Sequence, residues 1–227
     1  LGLAGMPEDA YKQLPDAKGN WREIRNFIVK ANENDRLHDG LEMLKTLSRK
    51  DLRDTKCEVL WDALTTAAKP NILSKKDEIY SNYVLCPRIN GEFLQPFHTE
   101  IHEALSPYIN TREINDEDDA RALVNEIITW ARDSIAIADS LNTRRLQATP
   151  AGTLRIRMAD GRSKDIFTVA TLRTFGIPAR VDQMTGKAQY MIDNEWVDIT
   201  AESAALGTIS EKGTMTMNYV PGKGTLD

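Results

Sequence analysis

The chain has 227 residues, of which 41% are hydrophobic and 28% are charged. This is the composition of a folded globular protein of one or two domains and excludes a disordered or membrane-like chain. Lysine and arginine number 29 against 34 acidic residues, a formal net charge of -5, so no broad basic field is present to bind nucleic acid.

The ends and the cysteines of the chain bear on where it works. No apolar run approaches the ~20 residues of a membrane helix, so we expect no membrane span. The sequence begins with Leu1, which leaves room for a removed upstream segment such as an export signal. Cys57 and Cys86 are too few for a disulfide scaffold and lack zinc-site spacing. A single disulfide between them remains open for an exported protein.

The N-terminal half is predicted to be helical. Asn20 is a suitable N-cap for a first amphipathic helix, and a second helix repeats its apolar periodicity. Thr55 and Glu58 form a capping-box pattern ahead of a third helix that ends near Ala68, before Pro70. The apolar positions of these helices are Trp21, Ile24, Phe27 and Ile28, then Leu37, Leu41 and Leu44, then Leu60, Trp61 and Leu64.

The middle of the chain contains an extended stretch and then two further helices. Residues 79–91, IYSNYVLCPRING, are rich in β-branched and aromatic residues, which favours an extended crossing segment. Pro96 opens a short helix on which Phe97, Ile101 and Leu105 share a face. Residues 115–139 begin with acidic side chains that suit a helix N-terminus, and the spacing of Leu123, Ile127 and Trp130 predicts a buried stripe.

The last third changes from helix to strand. Thr149 and Pro150 predict the N-cap and first residue of a short helix, and a longer helix follows Ser163 until Gly176 ends it. Three short segments rich in strand-forming residues then predict an antiparallel meander, with turns at 184–186 and 193–194. Residues 201–227 are rich in Gly and Thr and predict an edge strand or a linker toward a possible downstream domain.

The segment from 149 to 200 resembles the transglutaminase-like superfamily, whose members are papain-like peptidases and acyltransferases. The family motif is G-x-C at a helix start, R-x-x-G-I-P-A-R at its end, a strand bearing His, and a strand with Trp and Asp. Within this superfamily, the segment looks closest to multidomain exported proteins of gut-type bacteria. The matching positions are Gly161, Arg173, Gly176, Ile177, Pro178, Ala179, Arg180, Trp196 and Asp198.

The resemblance implies an α+β fold in which a helical N-terminal region packs on a papain-like core with a small antiparallel sheet. The expected partition is a helical region over 1–115, the transglutaminase-like core over 116–200, and the linker or edge strand over 201–227. The same resemblance implies an exported protein, periplasmic or at the cell surface. It implies no cofactor.

The departures from the motif concern the catalytic groups. The family Cys falls on Ser163, its His on or next to Gln189, and its Asp on Asp198. A serine hydroxyl is a weak nucleophile without a base, and an amide does not accept a proton near neutral pH. The triad as aligned is therefore degenerate.

The resemblance also lines the cleft with Trp196, Arg180 and Asp165. Structural roles remain open for two of the motif residues: Arg180 as the partner of an acid across the sheet, and Asp198 as a polar residue near a strand end. In an active relative the Asp orients the imidazolium, and the Trp forms a wall of the site.

Three other catalytic arrangements stay open at lower weight. One of His38, His98 and His102 meets Ser163 in space, although all three precede it in the chain. Cys86 replaces Ser163 as nucleophile. His98 and His102, four residues apart, hold a metal, although a solvated helix face explains their spacing better and we assign no metal site. The acidic residues near 116 lack the pattern of a calcium loop.

Two functional hypotheses follow from the sequence. The first is a catalytically impaired transglutaminase-like domain of an exported bacterial protein that binds a peptide, a protein or a glycan-associated cell-surface ligand, or acts as a scaffold. The second is an active amide hydrolase or acyltransferase with Ser163 as nucleophile and a base other than Gln189. Neither hypothesis involves nucleic acid as a partner.

Overall fold

The computed structural model describes residues 8–12, 14–66, 77–109, 114 and 116–200. Helices surround one three-stranded antiparallel sheet and one short parallel strand pair, so the α+β class is confirmed. In this part of the chain no helix is both long enough and apolar enough to cross a membrane. The linker or edge strand predicted over 201–227 lies outside the described residues.

Short helices fill the first part of the chain and share one apolar cluster. The cluster runs from Ala10 to Cys86 and includes most of the predicted apolar positions: Ile24, Phe27, Ile28, Leu41, Leu44, Leu60 and Leu64, with Leu37 and Trp61 packed against it. Trp21 is the exception, because it is 44% exposed and not on the buried face as predicted. The elements are α1 Asp9–Lys12, α2 Leu14–Ala17, a 3-10 turn Lys18–Asn20, α3 Trp21–Glu33, α4 Leu37–Thr46, α5 Arg49–Asp54 and α6 Cys57–Thr66.

The capping box predicted at Thr55 and Glu58 does not form. The hydroxyl of Thr55 is buried and has no hydrogen-bond partner among the residues that the structure describes. The backbone amide of Cys57 instead donates to Oε2 of Glu23 on α3, at 2.9 Å. A carboxylate from a neighbouring helix thus caps α6, because the free amides of a helix N-terminus donate to any suitably placed anion.

The segment predicted to be extended over 79–91 is helical in its first half. Helix α7 spans Asp77–Tyr80 and continues as a π-helical turn over Ser81–Leu85. Tyr80, Val84 and Leu85 are buried in the first apolar cluster. Their bulk reflects burial on one helical face and not strand formation, since β-branched and aromatic content alone does not separate the two. Residues 86–97 are irregular, as an extended crossing requires.

A second apolar cluster begins at Ile89 and is centred on α11. The predicted positions Ile101, Leu105 and Ile127 are fully buried, and Trp130 packs at the edge. These helices are confirmed, and their bounds are α8 His98–Leu105, α9 Glu117–Ser134, α10 Pro150–Ile156 and α11 Gly161–Thr174. Because α8 joins this cluster, the two cores divide near residue 87. The domain boundary expected at 115 stays a prediction.

The predicted meander is confirmed. Strands β3 Ala179–Val181, β4 Ala188–Ile192 and β5 Glu195–Asp198 pair antiparallel in that order. Asp193 and Asn194 form the β4–β5 turn with φ of 56° and 61°, the left-handed conformation of a tight hairpin turn. Gly176 ends α11 with φ of 81°, and the amide of Ile177 reaches back to the carbonyl of Leu172.

One strand pair was not predicted. Strand β1 Ala136–Ile137 pairs in parallel with β2 Met158–Ala159, immediately before α11 begins. Two residues per strand are too few to leave a period in the sequence.

Candidate functional site

Ser163 lies in the first turn of α11 and forms part of its cap. Asp160 is the N-cap residue, and its Oδ1 accepts from the amide of Ser163 at 3.1 Å. The Ser163 hydroxyl donates to Oδ2 of Asp160 at 2.7 Å and accepts from the amide of Ala148 at 2.9 Å. The serine is fully buried. Its proton and one lone pair are therefore used within the fold, and segment 142–148 covers it.

Asp160 is the carboxylate nearest to the serine. Its Oδ2 also accepts from Nδ2 of Asn142 at 2.6 Å. Burial raises the pKa of Asp160, but hydrogen bonds from Ser163 and Asn142 outweigh burial and hold the pKa below its usual range. Such a carboxylate is a weak base, suited to capping a helix and not to removing the proton of an alcohol.

Gln189 and Asp198 face each other across the β4–β5 pair. Gln189 Nε2 donates to Oδ1 of Asp198 at 2.7 Å, and Gln189 Oε1 accepts from Nε of Arg180 at 3.0 Å. Lys187 Nζ lies 2.5 Å from Oδ2 of Asp198. The hydrogen bond from Gln189 has the largest effect on the pKa of Asp198, which it lowers, and the one from Lys187 lowers it further. The Gln side chain thus bridges a cation and an anion across the three strands.

Arg180 and Trp196 form the aromatic part of the same sheet face. The guanidinium lies 4.1 Å from the centre of the Trp196 ring, a cation–π contact. Tyr83 meets the same indole edge to face, with ring centres 4.8 Å apart. Arg180 also lies 3.7 Å from Oδ1 of Asp182. Trp196 is therefore held by the segment before the crossing and by its own sheet.

Asp165 lies two residues beyond the serine on α11 and is half-buried. Burial raises its pKa to about 6; the charge of Lys164 opposes this rise and the charge of Asp160 adds to it. Lys164 points elsewhere: its Nζ donates to the carbonyl of Ile135 at 2.7 Å. Residues two apart on a helix lie on different faces, so Asp165 does not share the orientation of Ser163.

The candidate residues form two groups. Gln189, Asp198, Arg180 and Trp196 are joined by direct contacts. Among the described residues, the Ser163 hydroxyl has hydrogen bonds only to Asp160 and Ala148. The structure therefore brings together the positions of the family His and Asp, and no hydrogen bond links them to the position of the family Cys.

The histidines lie away from the serine. His98 Nδ1 is 2.9 Å from Oγ1 of Thr174, at the opposite end of α11 from Ser163. Eleven residues of helix separate the two, a distance of about 16 Å. His102 stacks on Phe175, and His38 is exposed on α4. The meeting of a histidine with Ser163 is thus wrong for all three.

His98 is also not on a solvated helix face, as its spacing had predicted, because it is 1% exposed. The Thr174 hydroxyl donates to the carbonyl of Ala170, which makes His98 Nδ1–H the donor to Thr174. The lone pair of Nε2 then stays buried with no partner in the described ranges. Burial lowers the pKa of His98 to about 4. The negative charge of Asp62 opposes this shift, and the positive charge of Arg173 adds to it.

Asp62 on α6 explains why His98 is drawn inward. Its two carboxylate oxygens accept from the backbone amides of Phe97, His98 and Thr99, at 2.8, 2.7 and 3.0 Å. A buried carboxylate thus caps α8 from another element and fixes the first turn against the core. No local sequence pattern indicates this contact, because the partners lie some 35 positions apart.

Arg173 is the motif residue whose role the sequence did not predict. It is 2% exposed, and Nε donates to the carbonyl of Ala179 at 2.8 Å. Nη1 donates to the carbonyls of Cys86 and Arg88, at 2.7 and 2.9 Å. Burial lowers the pKa of Arg173. Nearby groups oppose this shift, and Cys86 has the largest effect among them. Arg173 ties the crossing segment to the end of α11.

The cysteines have structural positions. Cys86 is buried where Arg173 binds its carbonyl, which agrees with a brace in the crossing segment and not with a nucleophile. Cys57 is half-buried on α6, and both thiols are free. In the part of the chain that the structure describes, no three His, Cys, Asp or Glu side chains are grouped as metal ligands.

The cap of α11 was missed by the sequence reasoning, although a signal was present. Asp160 precedes Ser163 by three positions, the spacing of an N-cap residue and its N3 partner.

Comparison of the chain with protein-family models, with curated proteins and with solved structures gives no match.

Proposed function

We propose that this chain is a transglutaminase-like domain of an exported bacterial protein that has lost catalysis and serves in binding a peptide or cell-surface partner. Three features support the proposal. The motif over 149–200 matches the family at Arg173, at Gly176 and at the run to Arg180. A helix followed by an antiparallel meander, α11 and β3 to β5, is the arrangement that the family motif requires. Gln189 and Asp198 are paired as the family His and Asp would be.

The state of Ser163 carries the proposal. A nucleophile needs an open approach for the substrate and a base that takes its proton. The serine is fully buried, its proton is directed at a carboxylate of lowered pKa, and its oxygen accepts from the amide of Ala148. Each of these contacts serves the helix cap. A hydroxyl held in this way is a structural group.

The second candidate function is an active amide hydrolase or acyltransferase that uses Ser163. One observation favours it: a carboxylate, Asp160, does lie at hydrogen-bond distance from the hydroxyl. Catalysis would require segment 142–148 to move off the serine and the pKa of Asp160 to rise. The two candidates therefore differ in whether the serine ever becomes accessible.

The test is labelling and turnover at Ser163. The wild-type chain and Ser163→Ala are incubated with a fluorophosphonate probe, which modifies activated serines, and with a glutamine-containing peptide and a fluorescent amine. Chymotrypsin serves as the labelling control and a known transglutaminase as the turnover control. We expect no labelling, no amine incorporation and no peptide hydrolysis with either variant. Any of these activities that is present in the wild type and lost in Ser163→Ala would overturn the proposal.

The exported location is a separate part of the proposal and rests on the family resemblance alone. Fractionation of cells that produce the full-length protein tests it. Recovery from the periplasm or the cell surface is expected, and recovery with the cytoplasmic markers would refute that part without affecting the catalytic prediction.

A further inference from the structure

A recess lined by aliphatic side chains lies beside the start of α11, on the outer side of the segment that covers Ser163. Its volume is about 360 Å³. The large apolar side chains that line it belong to Leu141, Leu146, Ile156 and Met158, and its polar members are Asn142, Gln147 and Asp160. We call it the aliphatic recess. Gln189, Asp198 and Trp196 do not line it, so it is separate from the sheet face described above.

The side chains of the aliphatic recess are unusually exposed. Leu141 is 71% exposed, Ile156 69% and Leu146 63%. Isolated exposed leucines need no explanation, but apolar side chains gathered around one concavity mark a surface that binds something. Ile137 on β1, next to the lining residue Ala138, adds a fifth large exposed apolar side chain.

The charge around the aliphatic recess is opposite to that of the chain. Residues 139–162 contain five arginines and two aspartates, a local net charge of +3, whereas the whole chain carries -5. The aspartates are already used: Asp139 accepts from the amide of Gly161 at 2.8 Å, and Asp160 caps α11. They therefore do not neutralise the arginines by pairing with them.

Three of these arginines are available to a partner. Arg144 and Arg145 stand between the lining residues Asn142 and Leu146, and Arg162 follows Asp160 by two positions. All three are exposed, and none makes an ion pair within the described residues. The other two are engaged, because Arg155 forms a bidentate pair with Glu100 and Arg157 covers Trp130. Free guanidinium groups bind carboxylates and phosphates, and an apolar concavity beside them favours a carboxylate ligand that also carries aliphatic side chains.

We propose that the aliphatic recess docks an acidic peptide segment of a partner protein, with aliphatic side chains in the recess and carboxylates on Arg144, Arg145 and Arg162. This inference rests on the proposed function only in taking binding as the role of the chain. It adds the chemical class of the partner. No aromatic ring lines the recess, and single-stranded nucleic acid is bound largely by stacking on such rings. A volume of this size suits a few aliphatic side chains.

The experiment uses the whole chain and defined probes. Fluorescein-labelled peptides of alternating leucine and glutamate, of leucine and lysine, and of serine and glutamate are titrated by fluorescence anisotropy, together with a labelled oligothymidine. Binding of the leucine–glutamate peptide is expected, with the other three probes weaker by about tenfold or more. The bound surface is mapped by NMR shift changes.

Matched variants distinguish binding in the aliphatic recess from non-specific binding. Leu146→Ser with Ile156→Ser removes apolar area, and Arg144→Glu with Arg145→Glu reverses charge, and each is expected to weaken the leucine–glutamate peptide by about tenfold. The apolar control is Phe93→Ser, 81% exposed elsewhere, and the charge control is Arg49→Glu with Arg53→Glu on α5. Both controls are expected to bind as the wild type does. All substituted side chains are exposed. Arg49 and Arg53 both contact Asp16, so circular dichroism checks that this control and the other variants keep the wild-type fold.

Three results would overturn the inference. One is equal loss of binding in the controls and the recess variants, and another is tighter binding of the oligothymidine than of any peptide. The third is a concentration-dependent dimer that Leu146→Ser with Ile156→Ser abolishes, which assigns the surface to a second copy of the chain. None of these bears on Ser163, so the catalytic proposal stands or fails by its own assay.

Discussion

Ser163 and Asp160 satisfy each other at the start of α11, the amide of the serine through Oδ1 and its hydroxyl through Oδ2. The serine oxygen in turn accepts from the amide of Ala148 and so fastens segment 142–148 onto the helix. The position that a catalytic family would fill with a nucleophile is here a junction between a helix cap and a loop. Its loss should be felt in stability.

The first prediction is that Ser163→Ala destabilises the protein by about 1–2 kcal/mol, because the half-buried amide of Ala148 loses its acceptor and Asp160 loses a donor. Urea denaturation monitored by circular dichroism measures the change. Ser140→Ala, at an exposed serine in the preceding turn, is the matched control and should stay within about 0.5 kcal/mol of the wild type. Equal stability of the two variants would show that the serine hydroxyl is not structural.

The second prediction concerns Arg173. Arg173→Met removes the donors to the carbonyls of Ala179 and Cys86, which stay buried without a donor, and to the half-buried carbonyl of Arg88. The stability gained by removing a buried cation is smaller than the stability lost with three hydrogen bonds. We therefore expect the free energy of unfolding to fall by about 3 kcal/mol. Urea denaturation is again the measurement.

Two further variants keep the test of Arg173 decisive. Arg173→Lys retains the charge and one set of donors and should lose less than Arg173→Met, even where the latter is too unstable to purify. Arg180→Met, at the half-buried motif arginine on β3, should lose about 1 kcal/mol or less. A larger loss at Arg180 than at Arg173 would contradict the structural role assigned to the latter.

How far the sequence predicted the fold depends on how local each contact is. The end of α11 and the meander were predicted because Gly176 and the Asp193–Asn194 turn act on their immediate neighbours. The cap of α6 was wrong because Glu23, more than 30 positions away, takes the place that Thr55 and Glu58 would fill. Residues 79–85 were wrong because bulky side chains suit a buried helical face as well as a strand.

The candidate site divides in the same way. The pairing of Gln189 with Asp198 follows from the register of a hairpin and was accessible from the aligned motif. The burial of Ser163 depends on a loop, 142–148, whose path no periodicity fixes. The inward turn of His98 depends on Asp62 from another helix. Local chemistry was thus predictable, and the accessibility of that chemistry was not.

The third prediction is a pH dependence set by His98. Its folded pKa of about 4 lies below the unfolded value near 6.5, so the unfolded chain binds the proton more readily between these values. Stability is therefore full above about pH 6.5 and falls as the pH drops toward 4. Between about pH 7 and pH 5 the wild type should lose about 2 kcal/mol more than His98→Gln, which does not titrate.

The control for His98 is its neighbour on the same helix. His102→Gln replaces an exposed imidazole and should keep the wild-type pH dependence. Urea denaturation of the three proteins at matched pH values gives the comparison. A steeper pH dependence in His98→Gln than in the wild type would mean that the buried imidazole is charged in the folded state.

The fourth prediction has the opposite sign and concerns Asp165. Burial raises its pKa to about 6, above the unfolded value near 3.8, so its contribution to stability is present below about pH 4 and is lost as the pH rises through about 6. At neutral pH the ionised carboxylate is disfavoured. Asp165→Asn should therefore stabilise the protein by about 1 kcal/mol at about pH 7.5, after allowance for the water that reaches a half-buried group, and should change little near pH 4.

Asp133→Asn is the matched control for Asp165, because Asp133 is exposed and its pKa is lowered by a hydrogen bond from Arg132. It should not stabilise the protein at neutral pH. A loss of stability in Asp165→Asn at about pH 7.5 would mean that the carboxylate has a partner that favours its ionised form. The result also bears on catalysis, since Asp165 is the group of raised pKa nearest to Ser163 in the chain. A raised pKa is what a general base needs, but Asp165 lies on another face of α11, and the Ser163 hydroxyl donates to Asp160 instead.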